Sequence, residues 1–260
     1  MEGIINQIFN EDCLTGMDKI PDGSIDMILC DLPYGTTNNY WDKRIPFEPL
    51  WAQYKRITKK NAAIVLFSQM PFGAELIMSN RKMFRYEWIW QKNIGAGFLN
   101  ANKMPLRVHE NILVFYYSLP TYNPQYIQGE PYQKLYKGQM NGNYGKKKEN
   151  FTFNEGKRYP IDTMKFKIPN SGGFGDKTHS TQKPIDLLEY LIKTYTNEGE
   201  LVLDNCIGSG STAVAAINTN RNFIGFETEE KYCEIANKRI GEAKANREAQ
   251  PKEGVLFNWR

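Results

Sequence analysis

One segment of the 260-residue chain dictates most of what it can fold into: Leu201-Val-Leu-Asp204-Asn-Cys206-Ile-Gly208-Ser-Gly210-Ser-Thr212-Ala213. A short apolar run ends on an acid, passes two glycines and reopens in small helix-forming residues. That is the pattern of a buried strand feeding a helix through a tight turn. Glycine at 208 and 210 lets the backbone approach a ligand that a Cβ would hold off. Glu227, 23 positions beyond Asp204, ends the next apolar run. Its carboxylate there can accept hydrogen bonds from two ribose hydroxyls. The unit is therefore α/β, with a nucleotide-like ligand at the carboxyl edge of a parallel sheet. The Gly-x-Gly-x-x-Ala spacing also suits a dinucleotide, so an NAD-dependent oxidoreductase is one reading. However, only 33 residues follow Glu227, too few to complete a dinucleotide sheet. The sheet closes only if N-terminal strands lie beside the C-terminal ones, a circularly permuted order.

Candidate strands for that closure are present. Residues 4–9, 25–30 and 62–67 are short apolar runs bounded by turn residues, as buried parallel strands require. Residues 47–59 and 71–79 have helical spacing, the second with proline at its start. Residues 84–90 and 111–117 are further strands, the latter expected antiparallel near a sheet edge. Pro184 opens a helix that runs to about Tyr195.

Residues 120–175 break this alternation. They are rich in Tyr, Asn, Gly and Lys without a sustained period, and so long a loop is out of place inside a compact domain. An inserted module is the better reading, which divides the chain into 1–118, 119–176 and 177–260. The net charge of +4 is mild, but residues 120–180 hold ten Lys/Arg against five Asp/Glu, with ten aromatics. That composition suits phosphate contact with base stacking, with the run Lys146-Lys147-Lys148 on phosphates. It also suits a solvated loop region.

Asp31-Leu32-Pro33-Tyr34 follows directly on the 25–30 run. Ligands of open parallel sheets sit beyond the carboxyl ends of strands, so this loop stands where chemistry belongs. The lone pair of an aryl amine is delocalised into its ring, which makes the amine a poor nucleophile. Two acceptors on its hydrogens favour the pyramidal geometry from which it can attack a methyl sulfonium. Asp31 Oδ and the Leu32 carbonyl are the candidate acceptors, and Pro33 stiffens the loop. Tyr34 offers an aromatic face to a base removed from its stack.

Together these motifs resemble those of the amino-methylating DNA methyltransferases of the β-type order, in which the catalytic loop precedes the cofactor turn. That family usually reads Asp-Pro-Pro-Tyr where this chain has Asp31-Leu32-Pro33-Tyr34. It usually reads Asp-Pro-Phe-x-Gly-Ser-Gly-Thr where this chain has Asp204 to Ser211. Similarity continues through Asn10 to Cys13, Trp90 to Asn93, His109 to Phe115 and Thr181-Gln182-Lys183-Pro184. The resemblance implies an S-adenosylmethionine-dependent methyltransferase of Rossmann-like fold, with a permuted, mostly parallel seven-stranded sheet. Residues 1–118 are then the catalytic half, 119–176 the target-recognition insertion and 177–260 the cofactor half.

The same resemblance implies roles for residues. Asp31, Leu32, Pro33 and Tyr34 are catalytic. Asp204, Cys206, Gly208, Gly210 and Thr212 surround the methionine part of the cofactor, and Glu227 binds its ribose. Asp12 and Cys13 lie near its adenine, although Asp12 equally suits an ordinary helix cap. Thr181, Gln182 and Lys183 cover the cofactor from the other side. Leu32 in place of proline costs rigidity but no functional group, and Asn205-Cys206 in place of Pro-Phe changes local packing. The substrate implied is double-stranded DNA, with S-adenosylhomocysteine as by-product; a homodimer and a cognate restriction endonuclease are open as partners. Asp at the first motif position favours adenine N6. Cytosine N4 is the alternative, and a non-catalytic DNA-binding protein on this scaffold a more distant one.

Other chemistry finds little support. Cytosine C5 methylation needs a nucleophilic cysteine, usually in Pro-Cys, and the chain has no such dipeptide. Its four cysteines are scattered and it has two histidines, so neither a metal site nor a disulfide framework is expected. No apolar run has the length of a membrane span, and the N-terminus lacks a signal-peptide layout, so a cytoplasmic protein is expected.

Overall fold

Alternate residues of the apolar runs pack on opposite faces of one sheet. In a computed structural model, residues 3–36, 42–136, 140–141, 145–146, 150–169 and 182–249 are described. The first half contains β1 (Gln7–Asn10), α1 (Cys13–Met17), β2 (Ile25–Cys30), α2 (Phe47–Ile57), β3 (Thr58–Ser68), α3 (Phe72–Ser79), β4 (Phe84–Ala96) and β5 (Arg107–Phe115). On β3, Ala63, Val65 and Phe67 face one apolar cluster while Ile64 and Leu66 face another. Leu50, Trp51 and Tyr54 of α2 and Phe72 and Leu76 of α3 complete the second cluster. Burying each such large side chain contributes about 1.5–3 kcal/mol, which is why the strands are apolar on both faces.

Residues Pro124–Ile161 form a separate compact unit. It contains β6 (Ile127–Gln128), β7 (Tyr132–Tyr136), β8 (Met140–Asn141), β9 (Gly145–Lys146), β10 (Asn150–Asn154) and β11 (Lys157–Arg158), paired antiparallel as β6–β11, β7–β10 and β8–β9. Within it, the Lys157 ammonium lies 3.8 Å from the centroid of the Tyr126 ring and the Arg158 guanidinium 4.6 Å from that of Tyr132. Of these strands only the five-residue β10 (Asn150–Asn154) alternates polar and apolar residues, too short a run to stand out from its surroundings, so the sequence did not predict them. Lys147 and Lys148 lie outside the described residues.

The main unit resumes with β12 (Thr163–Lys165), α4 (Ile185–Tyr195), β13 (Leu201–Asp204), α5 (Ser211–Asn218), β14 (Asn222–Glu227) and α6 (Glu230–Ala249). Leu187 and Leu191 of α4 and Ala213 and Ala216 of α5 pack into the first cluster. The sheet order is β1-β14-β13-β2-β3-β5-β4-β12. All neighbours run parallel except at β5, which is antiparallel to both β3 and β4. This is the permuted, mostly parallel sheet expected, with the three-residue β12 added as an eighth strand. β1 closes the sheet by pairing with β14, placing Asn10 opposite Glu227.

Several boundaries depart from expectation: β3 begins at Thr58, so residues 58–59 of the expected helix are strand, and β5 spans Arg107–Phe115 rather than 111–117. Two further departures have local physical reasons. β1 starts at Gln7 rather than at residue 4 because Asn6 adopts φ 60°, a left-handed conformation that Asn tolerates. Its side chain instead bonds Asn222 and Phe223 at the head of β14. β4 runs on to Ala96, past the end of its apolar stretch, because the antiparallel ladder with β5 reaches Arg107 and satisfies the backbone without burial. Among the described residues, no helix is long and apolar enough to cross a membrane.

Candidate active site

Because the parallel strands end along one edge, the acidic residues that follow them converge. Asp12 follows β1, Asp31 follows β2, Asp204 ends β13 and Glu227 ends β14. All four line a cavity of about 900 Å³. Its wall also includes Leu32, Pro33, Tyr34, Cys13, Gln182 and Lys183, with Cys206, Gly208 and Thr212 from the glycine turn. Gly210 stands behind that wall against α6. Thr181 lies outside the described residues.

The glycine turn is braced from within. Asp204 Oδ2 accepts from the Thr212 hydroxyl at 2.6 Å, and Oδ1 from the Cys206 N–H at 3.1 Å. Burial pushes the Asp204 carboxyl up to about 6, against the hydrogen bonds from Thr212, Cys206 and Cys30 that lower it. Gly208 and Gly210 take φ of 51° and 81°. Gly208 donates its N–H to Glu227 Oε2 at 3.0 Å, while Glu227 Oε1 accepts from the Glu229 N–H at 2.9 Å. Burial raises the Glu227 carboxyl, and these backbone donors oppose the rise. Arg239 of α6 clamps the turn from outside, bonding the Ser209 carbonyl at 2.5 Å. Asn205, in place of the family's proline, accepts from the Tyr54 hydroxyl at 2.5 Å and lies 3.5 Å from the sulfurs of Cys13 and Cys206. The Asn-Cys pair therefore has its own buried packing.

An adenosyl cofactor fits this wall. A Cβ built on Gly208 has no described atom within 4 Å, so the glycine leaves open space. The Glu227 carboxylate lines that cavity at the end of the neighbouring strand, where a ribose acceptor belongs. Asp12 lines it too, although its Oδ1 caps α1 by accepting from the Leu14 N–H at 2.9 Å and the Thr15 N–H at 3.3 Å. The helix-cap reading of Asp12 thus describes its geometry.

The Asp31–Tyr34 loop is held on both sides. Leu32 is buried in the second apolar cluster, which fixes the loop with a side chain where the family has proline. The Tyr34 ring packs on Phe72 at 5.0 Å between centroids. Asp42 accepts the N–H groups of Gly35 and Thr36 at 2.8 and 2.9 Å, and Arg44 bonds the Tyr34 carbonyl at 2.7 Å. Asp31 Oδ1 accepts from the Tyr34 hydroxyl at 2.8 Å, and Lys183 Nζ stands 2.5 Å from Asp31 Oδ2. Burial and the Asp31 charge together push the Tyr34 phenol well above its ordinary value, so the hydroxyl keeps its proton. Lys183 thus carries its ammonium to the Asp31 loop.

Four residues of this region were not named as site residues from the sequence: Asp42, Arg44, Lys92 and Glu110. For Lys92 and Glu110 a signal existed. Opposite charges lie at the facing ends of two apolar strands, a placement that demands a buried partner. Glu110 Oε1 receives Lys92 Nζ in a short contact and the Gln69 amide at 3.2 Å.

A permuted α/β sheet with a glycine turn, a ribose-type acid and an Asp-x-Pro-Tyr loop on one cavity defines an adenosyl-cofactor group-transfer enzyme. The chain belongs to the N6/N4 DNA methylase family, whose model matches residues 25–238. It is 30% identical over 262 residues to the type II methyltransferase M.BglII of Bacillus subtilis, covering 89% of this chain and 68% of that protein. Among solved structures, it is similar to M1.HpyAVI in complex with S-adenosylmethionine, with TM-score 0.61, 22% identity and coverage of 90% and 98% of the two chains. The cytosine-N4-specific PvuII DNA methyltransferase gives TM-score 0.63 at 14% identity, covering 92% and 91%. These two likenesses establish the fold. Family membership displaces the oxidoreductase reading of the glycine spacing.

Proposed function

We propose that this DNA methyltransferase acts on the exocyclic amine of a base turned out of the duplex, adenine N6 in particular, with S-adenosylmethionine as cofactor. The observation that carries this reading is the shared cavity: the Asp31 carboxylate opens on the same space as Gly208 and Glu227. Glu227 and the glycine turn hold the cofactor, which supplies an electrophilic methyl group. Asp31 Oδ and the Leu32 carbonyl hold the amine hydrogens and direct its lone pair, while the buried loop keeps both acceptors from reorganising. Tyr34 supplies the stacking face. No covalent enzyme–base intermediate is needed.

The unit at 124–161 is the candidate for reading the DNA sequence. Its exposed Phe151 and Phe153, with the cations Lys157 and Arg158, suit stacking and phosphate contact, and the run at 146–148 adds charge. The reading places the enzyme in the cytoplasm with its DNA, with a cognate endonuclease and a homodimer as further expectations. Intact Asp31 and Lys183 favour an enzyme over a passive DNA-binding scaffold. Mass analysis of nucleosides from plasmid DNA incubated with the protein and S-adenosylmethionine tests the base. N6-methyladenine is expected; N4-methylcytosine alone would overturn the adenine assignment while keeping the amine class.

A further inference from the structure

A chain of alternating charges runs inward from the catalytic loop. Lys183 Nζ lies 2.5 Å from Asp31 Oδ2 and 3.3 Å from Glu110 Oε2, and Lys92 pairs with Glu110 Oε1. Glu110 is 6% and Lys183 9% exposed, so these charges have left bulk water. Each lysine also sits by an aromatic ring, Lys183 at 5.0 Å from the Phe67 centroid and Lys92 at 5.1 Å from that of Trp90. Arg107 steadies the Gln69 amide that bonds Glu110.

Buried ion pairs rarely serve stability, because the cost of desolvation rivals the attraction. Four buried or half-buried charged groups in a row beside a reacting carboxylate therefore ask for another purpose. Burial alone would neutralise Glu110, but Lys183 and Lys92 hold its carboxyl below the ordinary range. Burial would likewise lower Lys183, but Asp31 and Glu110 hold it above. Both groups keep their charges.

We propose that Lys183, seated on Glu110, is a positioning residue for methyl transfer: its ammonium occupies Asp31 Oδ2 and so presents Oδ1 alone to the target amine. Oδ1 already accepts one hydrogen, from the Tyr34 hydroxyl at 2.8 Å, and a carboxylate oxygen has a second lone pair for the amine. Without Lys183 the carboxylate keeps its bond from Tyr34 but loses the one on Oδ2, so it is less restrained about Cβ–Cγ and can offer either oxygen to the amine. A misplacement of this kind, about 1 Å at the acceptor, costs roughly a hundredfold in rate. Glu110 and Lys92 touch neither base nor cofactor in this scheme; they fix the ammonium.

This inference rests on the amine-methylating reading, and its test separates the two. Single-turnover methyl transfer to DNA that the wild-type protein modifies is compared with S-adenosylhomocysteine affinity measured by calorimetry. Lys183→Ala and the isosteric Glu110→Gln are each expected to lose about a hundredfold in rate while the affinity stays within about twofold. Ethylammonium, a small cation for the vacated space, is expected to restore at least about tenfold of the Lys183→Ala loss and none of an Asp31→Ala loss. Thermal unfolding reports whether each variant folds; if Lys183→Ala does not, Glu110→Gln decides by its rate against its affinity. The proposal is overturned if affinity falls in proportion to rate, which would make Lys183 a cofactor residue. It is also overturned if Glu110→Gln keeps the wild-type rate, or if ethylammonium restores nothing to a folded Lys183→Ala protein. A wild-type protein that methylates no DNA would instead remove the functional reading beneath it.

Discussion

Asp204 and Asp31 are both acids at strand ends, yet the fold treats them differently. Asp31 meets an ammonium, whereas Asp204, among the described residues, meets hydroxyl, thiol and N–H donors deep in the turn. The Asp204 carboxyl is therefore raised to about 6, from 3.8 in an unfolded chain. A raised folded value means that the native state holds a proton the unfolded chain has released. Its contribution to stability is complete below about pH 4 and is lost as pH rises through 6, by about 3 kcal/mol in all. Asp204→Asn cannot titrate, so in the cofactor-free protein its stability relative to wild type should improve between pH 4 and pH 7 by about that amount. Urea unfolding across that range measures it; parallel curves for the two proteins would show that Asp204 is ionised at little cost.

At the scale of elements, the two glycines of one turn have separate tasks. At Gly210 a Cβ would lie 2.8 Å from Ala236 Cβ, and φ is 81°, so Gly210→Ala forces α5 from α6. Backbone strain and overpacking together should cost about 2–4 kcal/mol, read as a lower urea midpoint. Gly208→Ala meets no described atom within 4 Å, so only its φ of 51° is strained and about 1–2 kcal/mol should be lost. Its added methyl enters the cavity that the proposed function gives to the cofactor, so S-adenosylhomocysteine affinity should fall well beyond that of Gly210→Ala. Equal affinities in the two folded variants would contradict the division.

The spacing of Asp204, Gly208, Gly210 and Glu227 made this turn legible in sequence, because strand period, turn and distance are all local properties. The loop at Asp31 was legible for the same reason. Lys183 was legible as a motif member but not in its contact, since its partner Asp31 lies 152 positions away. Glu110 was hidden similarly: its lysines come from β4 and from the segment before α4, which only the folded sheet brings together. The 124–161 unit was unreadable in detail because its strands span two to five residues: the alternation at Phe151 and Phe153 is too brief to separate a strand from the polar loop around it.

The whole molecule combines a sheet that gathers strand ends from both halves of the chain with a separate small unit. β1 beside β14 and β2 beside β13 are the pairings that matter, because they put the Asp31 loop and the glycine turn on one cavity. The central claim is that Asp31 acts on the target amine and not on the cofactor. Transfer of isotopically labelled methyl from S-adenosylmethionine to DNA by Asp31→Ala, set beside its affinity for S-adenosylhomocysteine, tests that claim most directly. The account predicts transfer reduced by at least about a thousandfold with affinity within a few-fold of wild type. Transfer at near the wild-type rate, or an affinity lost together with it, would contradict the account.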